Sequence, residues 1–451
     1  MIAIKPPLLS LGADFFDPVA AADFPQTLVR FSNQRWADRV GLGGHDEAWW
    51  ALHFGRFEPL PDNLPQPLAL RYHGHQFRVY NPDIGDGRGF TFAQVSDDRG
   101  RLFDLGTKGS GTTPYSRTAD GRLTLKGGVR EVLASEMLEA LGVNTSKSFA
   151  LIETGEPLMR GDEPSPTRSA VLTRLSHGHI RIGTFQRLAF FGQGDNIRRL
   201  VHYCLTELFG EPGDDPVRLL DLAASATAQL AASYLAAGFV HGVLNSDNIN
   251  VTGESFDYGP WRFTPEWDAG FVAAYFDHAG LYAFGHQPEA IHWDLAQLAG
   301  CLALISEEAA LSLILDDWPR RFEDRLIERL LWRLGVAARD GKEDRALIRH
   351  LLAALETHHV TIDRLMFDWR GGRDPGGETY AAPSFRALAR ALEGRSRPHS
   401  HPYWSGPGPC SMHIDEMESI WADIAAADDW RKFDDKIRAV RDMGEAHRDY
   451  D

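Results

Sequence analysis

The apolar positions of the chain change their spacing several times, and each change predicts an element. Residues 1–70 carry short apolar runs broken by prolines, as in P-L-P-D-N-L-P-Q-P-L, which predicts loops with a few helical turns. Phe90 to Ser96 and Arg101 to Thr107 read as strands, and Asp97-Asp98-Arg99-Gly100 between them as a hairpin turn. Val129, Val132, Leu133, Met137, Ala140 and Leu141 then recur at helical spacing, predicting a helix over about 128–141 with Gly142 as its C-terminal cap. Further strands are expected at Ser148 to Glu153 and Ser169 to Leu175. Beyond these the pattern is helical. Pro216 to Ala237 is a long alanine- and leucine-rich helix with proline in its first turn and Gly238 just past its end. A hairpin is expected from Ile249–Val251 through Gly253 to Ser255–Asp257. Helices follow at about 293–306, 317–337, 343–358, 384–394 and 413–447, interrupted by loop-rich stretches at 370–378 and 395–409.

This order predicts an α+β fold in two lobes: a small α/β lobe over 1–175, a larger helical lobe over 176–370, and a helical extension over 371–451. Composition adds constraints. Of 451 residues, 43% are hydrophobic and 24% charged, which is globular and excludes disordered or fibrous classes. With 47 basic against 63 acidic residues the net charge is −16, arguing against general binding of nucleic acid or anionic membranes. A phosphate site must then be a local cluster of cations. Cys204, Cys301 and Cys410 form no metal spacing or disulfide framework, no run is long enough to span a membrane, and the start M-I-A-I-K-P-P is no convincing signal or transit peptide. A soluble cytoplasmic protein is the expectation.

Two segments carry specific chemistry. Residues 241–259 read H-G-V-L-N-S-D-N-I-N-V-T-G-E-S-F-D-Y-G. Small-molecule kinases place His-Gly-Asp, then an Asn, then an Asp after an apolar residue, and the last two hold Mg²⁺ against nucleotide phosphates. Asn248 and Asp257 fall at those positions. Val243 stands where a kinase needs its aspartate base, and Asp247 is the nearest carboxylate that could serve. The second segment is glycine-rich: G-D-G-R-G at 85–89 and L-G-T-K-G-S-G-T-T-P-Y-S-R-T-A-D-G-R at 105–122. Glycines let backbone N–H groups approach phosphate oxygens. Gly85, Gly87, Asp120 and Gly121 are candidate nucleotide contacts, and Lys108 is the candidate phosphate lysine, with Glu131 as its carboxylate partner. Arg88, Arg174 and Arg181 add bidentate phosphate donors, more positive charge than γ-phosphoryl transfer requires. The pairs His73/His75 and His177/His179 lack a third ligand nearby, so hydrogen-bonding roles are expected of them.

In these stretches, and in P-L-A-L-R-Y-H-G-H-Q-F, R-E-V-L-A-S-E-M-L-E-A-L-G-V, H-I-R-I-G-T-F and Y-A-F-G-H-Q-P, the chain resembles the selenoprotein-O-type pseudokinases, which are protein adenylyltransferases. The resemblance covers roughly residues 60–300. It implies a protein-kinase-like fold that binds ATP flipped relative to kinases and transfers AMP to Ser, Thr or Tyr hydroxyls of protein substrates. It implies further that Lys108 and Glu131 form the ion pair, that Arg88, Arg174 and Arg181 contact phosphates, that Asn248 and Asp257 bind Mg²⁺ or Mn²⁺, and that Asp247 is the base. Family members often carry a selenocysteine or cysteine near the C-terminus. This chain ends in H-R-D-Y-D without one, which weighs against redox control. Two other classes remain open from the residues: a phosphotransferase using Asp247, and a non-catalytic nucleotide-binding scaffold.

Overall fold

The computed structural model describes residues 6–161, 163–397 and 400–448. The first five residues and the last three, on which the targeting and C-terminal cysteine readings partly rest, lie outside the described residues. The fold is α+β. An eight-stranded antiparallel sheet runs, in spatial order, Phe16–Pro18, Leu68–Leu70, Thr91–Ser96, Leu102–Lys108, Thr167–Ser176, Lys147–Leu158 and Leu28–Ser32, with Leu123–Thr124 added beside Thr167–Ser176. The expected hairpin is there, with Val95 opposite Phe103 and the turn closed by the Asp97 carboxylate, which accepts from the backbone of Arg99 and Arg101 at 3.0 and 2.9 Å.

Both faces of the sheet are covered. On one lies the helix Leu125–Ala140, capped by the Thr124 hydroxyl, which accepts from the Gly127 backbone at 3.1 Å. On the other, Trp36, Trp50 and Phe54 pack with Phe92, Phe103 and Phe149. Those aromatics come from helices Gln34–Arg39 and Glu47–Gly55. Residues 6–70 therefore hold more regular structure than loops with a few helical turns. They supply three strands of three to five residues, too short to show alternation, and two helices whose apolar residues face the sheet.

After Ser176 the chain is mainly helical. Pro216–Ala237 spans the expected residues and ends on Gly238, whose φ of 69° is the left-handed cap that glycine adopts without strain. It packs against Gln287–Leu302 and Glu308–Leu334. The latter helix begins nine residues earlier than expected and carries Pro319 inside it, because buried Leu311, Ile314 and Trp318 give its first turns an apolar face. The Trp318 indole donates to Thr227 at 3.1 Å. The 413–447 segment is two helices, Ile414–Ala427 and Arg431–Arg448, broken at Asp428 in the left-handed conformation. The second of these returns to pack on Leu125–Ala140.

The expected hairpin over 249–257 does not form. The turn signal was real, since the Gly253 N–H reaches the Asn250 carbonyl at 2.9 Å. Its two arms, however, bond outward to different partners. Ile249 and Val251 bond to the 180–182 backbone, and Ser255 bonds to Asn144 and Ser146. The loop thus ties the helical part to the sheet-bearing part.

Candidate active site

Across the pair of strands Leu102–Lys108 and Thr167–Ser176, Lys108 stands opposite Leu172 and Arg174 opposite Gly106. Cross-strand partners share a face, so Lys108 and Arg174 project from the same face one diagonal step apart. Two buried cations so close need anions. Lys108 pairs with Glu131, which the helix Leu125–Ala140 presents over the sheet. The Lys108 ammonium also lies 2.6 Å from Asp257 Oδ1, and the Arg174 guanidinium donates to that oxygen at 3.3 Å. The other Asp257 oxygen accepts from the Asn248 side-chain amide at 3.2 Å. Burial alone would raise the Asp257 carboxyl. Lys108 foremost, then Arg174, Arg88 and Arg181, outweigh it and hold the group well below the usual carboxylate range.

Asp257 has φ of 65°, a conformation aspartate tolerates better than most residues. The fold holds it there through His241, whose Nε2–H donates to the Phe256 carbonyl at 2.9 Å. His241 is thus a structural strut beneath Asp257. Burial depresses its basicity, which keeps the ring neutral in that role.

Arg181 joins the two segments of the motif. It donates to the Asp247 carbonyl at 2.9 Å and to Asp86 Oδ1 at 3.2 Å. Its guanidinium lies 4.3 Å from the Tyr72 ring centroid and 4.8 Å from that of Phe256. The Asp247 side chain is buried, yet its Oδ1 has no hydrogen-bond partner among the described residues. Burial pushes its pKa up to about 6, with Arg181 pulling it down and Asp257 adding to the rise. The Nε atoms of Arg174 and Arg181 are likewise buried without a partner. A buried carboxylate oxygen left unmatched is costly, and at the wall of a cavity a ligand can supply the missing partner.

These groups line one cavity of about 350 Å³. Lys108, Arg88, Arg174 and Arg181 enter it, together with Asp247 and Asp257. Gly85 and Gly87 form another wall. A Cβ at Gly85 would stand 2.5 Å from the Tyr115 ring, and one at Gly87 2.9 Å from the Tyr115 carbonyl, so only glycine lets the two segments close together. Glu131 and Asn248 sit directly behind Lys108 and Asp257. Asp120 and Gly121 are not brought to this cavity: the Asp120 carboxylate is turned to Arg160, at 2.8 and 3.1 Å. The structure also brings in groups to which sequence reasoning gave no role: Asp86, Tyr72 and Phe256, which grip Arg181, and Arg117, a wall residue with φ of 54°. Asp86 and Arg117 lay inside the glycine-rich motifs, but their chemistry alone does not reveal that one clamps a neighbour.

The histidine pairs have hydrogen-bonding roles. His73 meets the Tyr80 hydroxyl at 2.8 Å and His75 the Gln186 amide at 2.6 Å. His177 meets the carbonyls of Leu102 and Leu208, and His179 is paired with Asp104. Among the described residues no three His, Cys, Asp or Glu side chains gather as a metal cluster, and no helix is long and apolar enough to cross a membrane.

Residues 1–375 match the family model described as protein adenylyltransferase SelO. A protein nucleotidyltransferase YdiU of Synechocystis sp. is 47% identical over 348 residues, covering 75% of this chain and 72% of that protein. The YdiU protein of Gloeobacter violaceus is 42% identical over 466 aligned positions, covering 97% and 94%. That of Vibrio cholerae is 33% identical over 79% of this chain and 72% of its own length. The chain belongs to the SelO family of protein adenylyltransferases.

Proposed function

We propose that the cavity binds the triphosphate of ATP and delivers AMP to a Ser, Thr or Tyr hydroxyl of a protein substrate, in a two-lobed protein-kinase-like frame. In that frame residues 1–175 form the phosphate-binding lobe, 176–370 the helical lobe, and 371–451 a helical extension. The observation that carries the reading is the pairing of four converging cations with a buried carboxylate, Asp247, whose Oδ1 is unpartnered. Arg88, Lys108, Arg174 and Arg181 are placed to hold phosphate oxygens, and the backbone at Gly85 and Gly87 gives room for their approach. Charge that accumulates on the departing pyrophosphate is stabilised by this fixed cluster, which needs no reorganisation during the reaction.

Asn248 and Asp257 supply one amide and one carboxylate oxygen. Two hard protein donors suit Mg²⁺ or Mn²⁺, which would keep water and phosphate oxygens as its remaining ligands. When bound, the ion neutralises phosphate charge. Asp247 then acts as the base. The acceptor oxygen bonds to the α-phosphorus, its proton passes to Asp247, and the bond from the α-phosphorus to the bridging oxygen breaks with its electron pair leaving on pyrophosphate. A carboxylate with a pKa of about 6 is ionised near neutral pH and is a better proton acceptor than an ordinary one. Val243 carries no such group, which supports the displacement of chemistry from the γ- to the α-phosphate. Three unpaired cysteines fit a reducing compartment, the cytoplasm.

Incubation of the protein and a cell extract with Mg²⁺ and ATP labelled at the α- or γ-phosphate tests the reading. Acid-stable α label on protein is expected. Transfer of γ label instead makes the protein a phosphotransferase, and transfer of neither makes it a nucleotide-binding scaffold.

A further inference from the structure

Next to the ribbon that borders the cavity, the surface carries exposed apolar side chains. The ribbon Gly74–Gln76 with Val79–Asn81 is separate from the main sheet and lies against the loop that carries Asp247. The His75 backbone donates to the Ser246 hydroxyl at 2.7 Å, and the Phe77 backbone donates to Asn245 Oδ1 at 2.9 Å. A Cβ on Gly74 would stand 2.9 Å from that of Asp247. Gln76 reaches the cavity wall. The ribbon is thus one edge of the entrance to Asp247.

The turn of this ribbon is made by Phe77 and Arg78, with φ of 50° and 62°. Two successive left-handed residues are the geometry of a tight hairpin turn that normally selects asparagine and glycine. A phenylalanine and an arginine held there mark a shape kept despite its local strain, as happens at functional sites. The shape places Val79 outward, 70% exposed. It also seats Phe77 against Phe276 and Tyr282, with ring centroids at 5.9 and 5.0 Å.

From the other side comes the loop after Phe263. Its Tyr275 is 82% exposed and its Phe276 42%. The loop is pinned, because the Asp277 carboxylate accepts from the backbones of Leu281 and Tyr282 at 2.9 and 2.8 Å. The Tyr282 hydroxyl donates at 2.7 Å to the same Asn245 oxygen that holds Phe77. One side chain two residues before Asp247 therefore fixes both halves of the rim. Val79 pairs across the ribbon with Gln76, so its side chain shares the face on which Gln76 meets the cavity. The one charge on the turn is answered locally, since Arg78 is 3.2 Å from Glu289.

We propose that this rim, formed by Val79, Tyr275 and Phe276, docks an extended segment of the protein substrate whose apolar side chain flanks the acceptor hydroxyl. The inference rests on the AMP-transfer reading and adds a substrate class to it. Its support is continuity: Gln76 borders the cavity, Asn245 ties both Phe77 and Tyr282 to the loop that carries Asp247, and the surface joined in this way offers ordered, exposed apolar side chains whose one turn charge, Arg78, is paired. Such surfaces mark interaction sites, and aromatic anchors carry most of their binding energy.

A peptide array tests it. Each peptide carries a central Ser, Thr or Tyr flanked by Phe, Leu, Lys, Asp or Gly, and is incubated with α-labelled ATP. Wild type is expected to label peptides with Phe or Leu beside the acceptor about tenfold more than those with Asp or Gly. Tyr275→Ser with Phe276→Ser, and Val79→Ser separately, should reduce that selectivity to about twofold or less by raising KM for the peptide. ATP affinity should not move. These side chains are outside the cavity and largely exposed, so their loss spares the fold. Selectivity retained in the variants overturns the inference, as does labelling of extract proteins with none of any peptide. A dimer that the variants abolish without altering peptide selection assigns the rim to a second copy of the chain, which also overturns it. Absence of label on both peptides and extract defeats the transfer reading itself.

Discussion

The helix Leu125–Ala140 is charged on two sides, and the two differ in how their carboxylates are used. On the side toward the cavity, Glu131 and Asp257 share Lys108 and Arg174, and Asp247 nearby keeps an oxygen without a partner. On the opposite side, Glu136 accepts from both Arg441 Nε and its terminal nitrogen at 2.8 Å, and from Asn33 at 3.2 Å. Glu139 accepts from the Trp36 indole at 3.0 Å and from Arg35 on both oxygens. All four oxygens of Glu136 and Glu139 are engaged. The carboxylates are mostly buried on both sides, so burial of a carboxylate alone does not mark function. What differs is one carboxylate: among the described residues Asp247 keeps a buried oxygen unmatched at the cavity, whereas across the helix both carboxylates are matched and the atom left over is the Arg35 Nε. The far side is also built partly from residues beyond the 1–375 stretch that matches the family, as Arg441 lies on the last helix.

The largest effect that would break this comparison is at Asp257. Asp257→Asn keeps a residue that tolerates the left-handed backbone but removes the charge shared by Lys108 and Arg174. AMP transfer should fall by about 10³-fold or more, read as α label incorporated per minute. A variant that labels at the wild-type rate removes Asp257 from the chemistry. The next effect belongs to the far side. Arg441→Met leaves the buried Glu136 with Asn33 and a more distant Arg35, 3.8 Å away. Unfolding in urea should show a loss of about 1–3 kcal/mol, while the transfer rate at saturating ATP stays within about twofold. A large drop in rate with unchanged stability would show that the far side also tunes the site.

How far the sequence foretold this can be judged residue by residue. Pro216–Ala237 was legible to its ends because proline and glycine punctuate it. Lys108, Glu131, Arg174 and Arg181 were legible as charged groups of one cluster, and all four meet around Asp257 or Asp247. Strands of three residues such as Phe16–Pro18 left no period to read. The 249–257 loop misled because its turn was local, while its pairing was decided by the distant residues 144–146 and 180–182. Asp86, Tyr72 and Phe256 were hidden for a related reason. Each matters by gripping Arg181, and a clamp is defined by what it touches.

The smallest predicted effect is at Asp120, where motif and geometry point different ways. Its position in the glycine-rich run suggested nucleotide contact, yet its oxygens are bound to Arg160 at the surface, with half of the side chain exposed. Both oxygens are answered, as on the far side of the helix, and the pair is screened by water. Asp120→Asn should change stability by at most about 1 kcal/mol and leave KM for ATP within about twofold. The Asp120 carboxylate stands outside the cavity and, being an anion, would repel a phosphate rather than receive one. A tenfold rise in KM would mean that Asp120 leaves Arg160 when the nucleotide binds and joins the site.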